Sequence, residues 1–384
     1  MKIRIDAEML RDELSRATSV IEKTPRKPGL EYVLVEPAGK YVKFTGSDGV
    51  AAIESFAPSD EVEFEAGAKG PICLPGRKTL DLVKLMSGEV RFETLPNGYI
   101  NLYNGRSKYR LASIDASRYP RIAEEFTPSG DLPAQVLRRA IKLTRGFIGE
   151  DDSKFAFSGG LLEVSDGSMR VVATDGARLA VAECGGVDEG DFSVLLPHRS
   201  LNMLAGLISR DSETVTVAFA RNPVTGAITK AKFKIERAFL TTNLTTGQFP
   251  AWRQILPSSD HELQAELSRT ELHNALRKAL VATDGKSNIV ELNFAPGSVL
   301  VKTDGADAGS DVLDAEYLTG DPAEDAEARL GLNANFVNQF LAVVPDVLED
   351  DSVLISYNGP TQFVGISPRE AEFDFKYLLA PARL

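Results

Sequence analysis

Histidine, cysteine and tryptophan are scarce in this 384-residue chain, which has three, two and one of them respectively. Each scarcity excludes a class of function. His198, His261 and His273 are not spaced as metal ligands, and His261-Glu262 lacks the second histidine of a zinc-binding HExxH helix. Cys73 and Cys184 form no CxxC pair, so neither a zinc ribbon nor a redox motif is expected. No apolar run approaches the roughly 20 residues of a membrane span. The opening MKIRIDAEML lacks the apolar segment of a signal peptide, so the expected compartment is the cytoplasm, with no membrane partner. Positive charge is also in deficit. Lys and Arg total 43 against 55 Asp and Glu, a net charge of −12, and that average argues against a nucleic-acid partner.

Motifs for catalysis or cofactor binding are missing as well. Gly70 to Thr79 (GPICLPGRKT) has one residue too many and two prolines for a phosphate loop, and reads as a helix entrance. Glu150-Asp151-Asp152 reads as a solvated loop, and Asp304 to Asp311 does not follow the order of an EF-hand. No Ser/His/Asp or Cys/His set stands out. The expectation is a non-enzyme with no metal, no cofactor and no catalytic residues.

What the chain does have is repetition. Tyr41 to Gly49 (YVKFTGSDG), Met169 to Gly176 (MRVVATDG) and Ser298 to Gly305 (SVLVKTDG) each carry an apolar strand into Ser/Thr-Asp-Gly. The three recur about every 128 residues. Val281 to Gly285 repeats the letters VATDG but follows a helical pattern at the wrong spacing, so it is set aside. Other elements return at the same interval. A helix opens each copy, at Ala7 to Lys23, Pro133 to Gly149 and Ser268 to Ala282. A second helix follows each Asp-Gly strand, entered at Pro75, at Pro197 and at Asn333, a good N-cap. Tyr119-Pro120 and Phe249-Pro250 close the first two copies. At 384 residues and 43% hydrophobic content, the reading is three α+β domains at 1–126, 127–257 and 258–384, each with two helices and many strands.

Charge follows the same pattern. In the second opening helix, Val136, Leu137, Ala140, Ile141, Phe147 and Ile148 keep the spacing of a buried stripe. Arg138, Arg139, Lys142 and Arg145 fall opposite it. The helical windows together are net positive while the rest of the chain is strongly acidic. Cationic helices on an acidic body attract phosphate at one surface and repel it elsewhere.

Taken together and in register, the strand-TDG turn followed by Ala177-Arg178-Leu179, the proline-led second helices, Phe249-Pro250 and the terminal Ala380-Pro381-Ala382-Arg383-Leu384 resemble the bacterial sliding clamp family, the β subunit of DNA polymerase III, from Met1 to Leu384. That resemblance implies clamp domains each with two helices and two small antiparallel sheets, and a head-to-tail homodimer closing into a ring of six such domains, whose helices line a hole around duplex DNA without reading its sequence. The ring would tether the replicative DNA polymerase, and would take up the clamp loader and other partners through short clamp-motif peptides.

Carried over by position, the peptide wall is Phe157, Thr174, Gly176, Ala177, Arg178 (a rim cation) and Leu179, then Pro250, Gln254 and Ile255, Asn333 and Phe336, and finally Leu378, Ala380, Pro381, Ala382, Arg383 and Leu384. Family members often have histidine at position 177 and methionines at 380 and 382, so smaller side chains here imply a roomier pocket. The DNA-facing set is Arg26, Lys27, Lys78, Arg138, Arg139, Lys142, Arg145, Arg199, Arg277 and Lys278, and the second loop used for DNA contact would be Glu150 to Lys154. The dimer interface would use Tyr109 and Leu111 against Val281 and Ala282. Two alternatives stay open: a clamp-like paralogue with different partners, or an enzyme whose repeated domains frame a cleft.

Overall fold

The computed structural model describes every residue except 1, 26, 65–69, 96, 122–123, 150–156, 188–189, 258–260, 284–287, 304–307, 321, 323–327 and 372. One order of elements recurs along the chain, with one short strand fewer in the second run among the described residues. The first run is β1 (Lys2–Asp6), α1 (Ala7–Ser19), β2 (Tyr32–Ala38), β3 (Tyr41–Ser47), β4 (Ala51–Pro58), β5 (Val62–Phe64), β6 (Ile72–Pro75), α2 (Gly76–Val83), β7 (Glu89–Thr94), β8 (Tyr99–Asn104) and β9 (Ser107–Ala112). The second is β10 (Thr127–Pro133), α3 (Ala134–Thr144), β11 (Gly159–Ser165), β12 (Ser168–Thr174), β13 (Arg178–Gly185), β14 (Phe192–Pro197), α4 (His198–Leu207), β15 (Thr214–Arg221), β16 (Ile228–Ile235) and β17 (Ala238–Asn243). The third is β18 (Leu263–Ser268), α5 (Arg269–Ala282), β19 (Ile289–Ala295), β20 (Ser298–Thr303), β21 (Gly309–Asp314), β22 (Glu316–Thr319), β23 (Ala328–Asn333), α6 (Ala334–Val343), β24 (Ser352–Tyr357), β25 (Val364–Pro368) and β26 (Asp374–Leu379).

Helix ends follow local side-chain chemistry. Ser268 caps α5 by accepting from the Glu271 amide, and Asn333 caps α6 by accepting from the amides of Asn335 and Phe336. Two helices stop short of the expected ends. Thr18 and Ser19 donate back to the carbonyls of Leu14 and Arg16, and α1 ends there rather than at Lys23. Thr144 bonds the Ala140 carbonyl in the same way, and the chain tightens into a 3-10 turn over Arg145–Phe147.

The chain forms two compact units, Met1–Gln135 with Asn202–Leu244, and Val136–Leu201 with Thr245–Leu384. The first holds a five-stranded sheet, ordered β5-β1-β7-β8-β9, and an eight-stranded sheet, β10-β15-β16-β17-β4-β3-β2-β6. The second holds a nine-stranded sheet, β14-β11-β12-β13-β26-β25-β24-β18-β22, and a four-stranded sheet, β21-β20-β19-β23. Small sheets from successive runs are therefore joined edge to edge, through β17 with β4 and through β13 with β26. In the first unit α1 lies so close on β3 that a Cβ at Gly46 would fall 1.8 Å from the Ala17 carbonyl oxygen. In the second, Phe147, Phe340, Phe375 and Tyr377 stack between helix and sheet with centroids 4.9–5.4 Å apart. Among the described residues no helix is long and apolar enough to cross a membrane.

Candidate peptide-docking site and charged surfaces

The Asp-Gly turns are built by a shared hydrogen-bond set. Thr174 Oγ1 donates to the Arg178 carbonyl (2.6 Å) and accepts from the Gly176 amide (3.1 Å), while Asp175 Oδ1 accepts from the amides of Ala177 and Arg178. Ser47, Asp48, Gly49, Val50 and Ala51 make the same set in the first copy. Gly49 and Gly176 sit at φ 88° and 94°, where a side chain is strained. In the third copy Thr303 pairs with Gly309, one residue further on than Thr174 with Leu179. The Asp304-Gly305 turn itself lies outside the described residues, as does Asp284-Gly285 of the set-aside VATDG string.

Arg178 is where the structure departs from expectation. It is 8% exposed, not a rim cation. Its Nε donates to Asp175 Oδ2 at 2.8 Å and its Nη1 to Gln339 Oε1. The guanidinium lies 4.3 Å from the Phe336 ring centroid and 5.2 Å from that of Phe147. Phe147 and Phe336 come from segments far apart in sequence, so the sequence pattern does not reveal the enclosure. Burial holds the Tyr377 phenol above its ordinary pKa, and its hydroxyl donates to the Phe336 carbonyl at 3.1 Å. The arginine thereby fixes the turn to helix α6.

Most of the expected peptide wall comes together around this box. A Cβ on Gly176 would lie 3.7 Å from the Phe157 ring. The Ala380 amide donates to the Ala177 carbonyl (2.9 Å) and the Ala382 amide to Gly331 (2.8 Å), which brings the C-terminal tail against the turn and against β23. Leu179 and Leu378 are cross-strand partners. They pack with Leu161, Val172, Val181 and Trp252 in one apolar cluster, with Phe249, Ile255 and Leu256 against it. The segment through Pro250 and Gln254 thus straps the outer face of the nine-stranded sheet. Arg253 pins the strap, bonding both oxygens of Glu163 and lying 4.3 Å from the Trp252 centroid. Burial opposes ionisation of Glu163, but the hydrogen bonds and charge of Arg253, with Ser165 and Arg170, take its pKa below the usual carboxylate range. Gln254, Arg383 and Leu384 are exposed and Pro381 half-buried.

The expected cations divide into two groups. Lys27, Lys78, Arg277 and Lys278 are exposed, and Lys278 pairs with Asp311 at 2.6 Å. Arg138, Arg139, Lys142, Arg145 and Arg199 are half-buried, with the Arg139 guanidinium 5.6 Å from the Phe373 centroid. The four on α3 and the turn after it are thus only partly open to solvent. Arg26 and the Glu150 to Lys154 loop lie outside the described residues. Of the expected interface residues, Tyr109 is 42% and Val281 87% exposed, and Ala282 is half-buried. Leu111 is an exception at 4%, where it lies opposite the buried Ile100 of β8.

Comparison with known proteins decides the family. Residues 1–123 match the N-terminal domain, and residues 131–251 the central domain, of the DNA polymerase III beta subunit. Together these cover well over half of the chain. The chain belongs to the DNA polymerase III beta subunit family. The beta sliding clamp of Bacillus subtilis strain 168 is 24% identical over 369 residues, covering 94% of this chain and 93% of that one. That of Pseudomonas putida KT2440 is 23% identical with both chains covered in full. The crystal structure of the DNA polymerase sliding clamp from Pseudomonas aeruginosa with ligand superposes with a TM-score of 0.88 at 22% identity, again with both chains covered in full. These clamps share the fold along the whole chain. Residue-by-residue analogy did not single out Trp252, which packs in the apolar cluster, or Phe147 and Gln339, which enclose Arg178. The one signal for Trp252 was its being the sole tryptophan, directly after Phe249-Pro250.

Proposed function

We propose that this chain is a non-catalytic processivity clamp of three domains (1–126, 127–257 and 258–384) that dimerises head to tail, encircles duplex DNA and tethers the replicative polymerase. The observation that carries this reading is an unfinished pattern of sheet edges. β9, β17 and β26 are the closing strands of the three runs, and β4, β13 and β21 are the strands that follow the Ser/Thr-Asp-Gly turns. β17 pairs with β4, and β26 pairs with β13. That leaves β9 and β21 as sheet edges. Joined between two copies they produce the order β5-β1-β7-β8-β9·β21-β20-β19-β23. This repeats the nine-stranded sheet, β22-β18-β24-β25-β26-β13-β12-β11-β14, element for element.

Unpaired edges invite another chain, and a heterologous contact that closes under two-fold symmetry makes a ring. Transferring the register Ala238↔Ser55 and Leu240↔Ile53 onto the free edges sets Lys108 opposite Asp311 and Tyr109 opposite Ser310 of the second copy. The β9 edge then offers Lys108 and Arg110 to an edge holding Asp311 and Asp314. Val281 and Val312, 87% and 69% exposed in one protomer, would lose that exposure. Retention on DNA would be topological, and the tethered enzyme would act at high effective concentration. The docking region around Leu179, Leu378 and Ile255 would take short apolar peptides of the polymerase, the loader and other partners.

Cysteines at Lys108 and Asp311 test the interface at residue resolution, since facing residues of an antiparallel pair lie about 4.5–5.5 Å apart, within disulfide reach. The K108C/D311C protein should oxidise to a dimer on a non-reducing gel, and each single variant should stay monomeric there. The displaced pair K108C/G309C serves as the register control. Equal cross-linking of both pairs, or none by K108C/D311C, would defeat the proposed register, and a native mass of one protomer would defeat the ring.

A further inference from the structure

We infer that the docking region has a second anchor cavity, which takes an aromatic side chain bearing a hydrogen-bonding group, two or three residues along the partner peptide from its first anchor. The inference rests on the proposed docking of peptides and adds a subsite to it. It starts from a row of side chains crossing the outer face of the nine-stranded sheet. Strand by strand the row is Thr174↔Leu179, Leu179↔Leu378, Leu378↔Gly365, Gly365↔Ser356 and Ser356↔Gln264. Its first three members belong to the expected peptide wall. The remaining members, with Leu378, line a cavity of about 280 Å³ whose other walls include Leu256 and Pro257 of the strap. The docking surface therefore continues into the cavity without leaving one cross-strand row.

The cavity has a distinct chemistry. Leu378, Leu256 and Pro257 form an apolar side, Gln264 and Ser356, themselves joined at 3.0 Å, form a polar end, and His261 and Lys376 also line the cavity. An aromatic ring with a hydroxyl or N–H at its tip matches both. Gly365 is what keeps the floor open, since a Cβ there would meet only the Ser356 side chain, at 3.5 Å or more. The matching positions of the first unit's sheet show the contrast. Where Gly365 pairs with Leu378, Lys232 pairs with Thr241, and Lys232 is ion-paired to Glu54 at 3.5 Å. At that point of the row the first unit holds an ion pair where the second has a glycine. The spacing follows from strand geometry. Neighbouring strands lie about 4.8 Å apart, and an extended peptide advances about 3.3 Å per residue, so moving one to two strands from Leu378 takes two or three residues.

The probes are fluorescein-labelled octapeptides with a central Leu-Phe anchor and either tyrosine or alanine three residues to one side, made in both polarities and read by anisotropy on the wild-type chain. One tyrosine peptide should bind at least fivefold tighter than its alanine twin, and the Gly365→Leu variant should erase that difference while binding the alanine peptide as wild type does. Equal affinity of both pairs for the wild type overturns the cavity and leaves the docking site standing, a result that needs no variant to fold. A tyrosine advantage that survives in folded Gly365→Leu overturns it as well. If no peptide binds, the docking reading falls and the cavity with it.

Discussion

Removing the Asp175 carboxylate, with Asp48 as its internal control, isolates the energetic role of the Arg178 box. Both aspartates accept from two backbone amides of their turn. They differ in the residue three positions on, which is Arg178 in one copy and Ala51 in the other. Asp48→Ala loses two hydrogen bonds at a solvated turn, about 1 kcal/mol in all once water replaces part of the loss. Asp175→Ala loses the same two and also leaves a guanidinium that is 8% exposed without its carboxylate. Stripping one partner from a buried pair costs about 3–5 kcal/mol. Gln339 and the rings of Phe147 and Phe336 still hold the cation, and Asp175 is itself 21% exposed. The total should therefore sit near the lower end, about 3 kcal/mol. Native-state hydrogen exchange of the two turn segments reads both in one protein, and Trp252 fluorescence during denaturation reports on the second unit. Arg178→Met added to Asp175→Ala should recover more than half of the loss, because the orphaned charge goes with it. A cost for Asp175→Ala within about 0.5 kcal/mol of that for Asp48→Ala, below the usual coupling of contacting residues, would mean that the buried cation does not depend on its carboxylate.

Further expectations concern packing and pH. Gly46→Ala should cost about 3 kcal/mol or prevent folding, since its Cβ would overlap the Ala17 carbonyl at 1.8 Å and backbone cannot yield as a side chain does. Gly146→Ala, which meets nothing within 4 Å, should be neutral by the same thermal melt. The strap should loosen in acid. The Glu163 pKa is lowered in the folded state, so its contribution is complete above the unfolded value of about 4.3 and is lost as pH falls through the folded value. Trp252 emission should be flat from neutrality down to about pH 5 and shift below about pH 4, and Glu163→Gln should remove that transition.

The sequence made the local grammar readable. Ser47 and Thr174 hold their turns by the same bonds because a hydroxyl, an aspartate and a glycine in that order have few other ways to close a hairpin. Asn333 was legible as a cap for the same reason. The edge-to-edge joining of sheets was not legible, because β4 and β17 are separated by about one and a half repeats, and no residue at Ile53 or Leu240 announces its partner. Arg178 was misplaced on the rim because burial of a cation depends on rings supplied from elsewhere, Phe147 after α3 and Phe336 on α6. The cationic face of α3 was read from helical angle alone, which gives direction but not depth. Long basic side chains lie along apolar surface, and Arg139 over Phe373 does so.

Encirclement itself is tested by locking the proposed interface around a closed DNA. The reduced K108C/D311C protein is mixed with nicked circular plasmid, oxidised, and filtered through a sizing column in high salt, where ordinary phosphate contacts fail. A ring threaded by the duplex should co-elute with the circle once cross-linked and be released when the plasmid is cut once. Protein that leaves the intact circle in high salt, or that stays on the linear product, is not threaded, and the clamp reading would be contradicted.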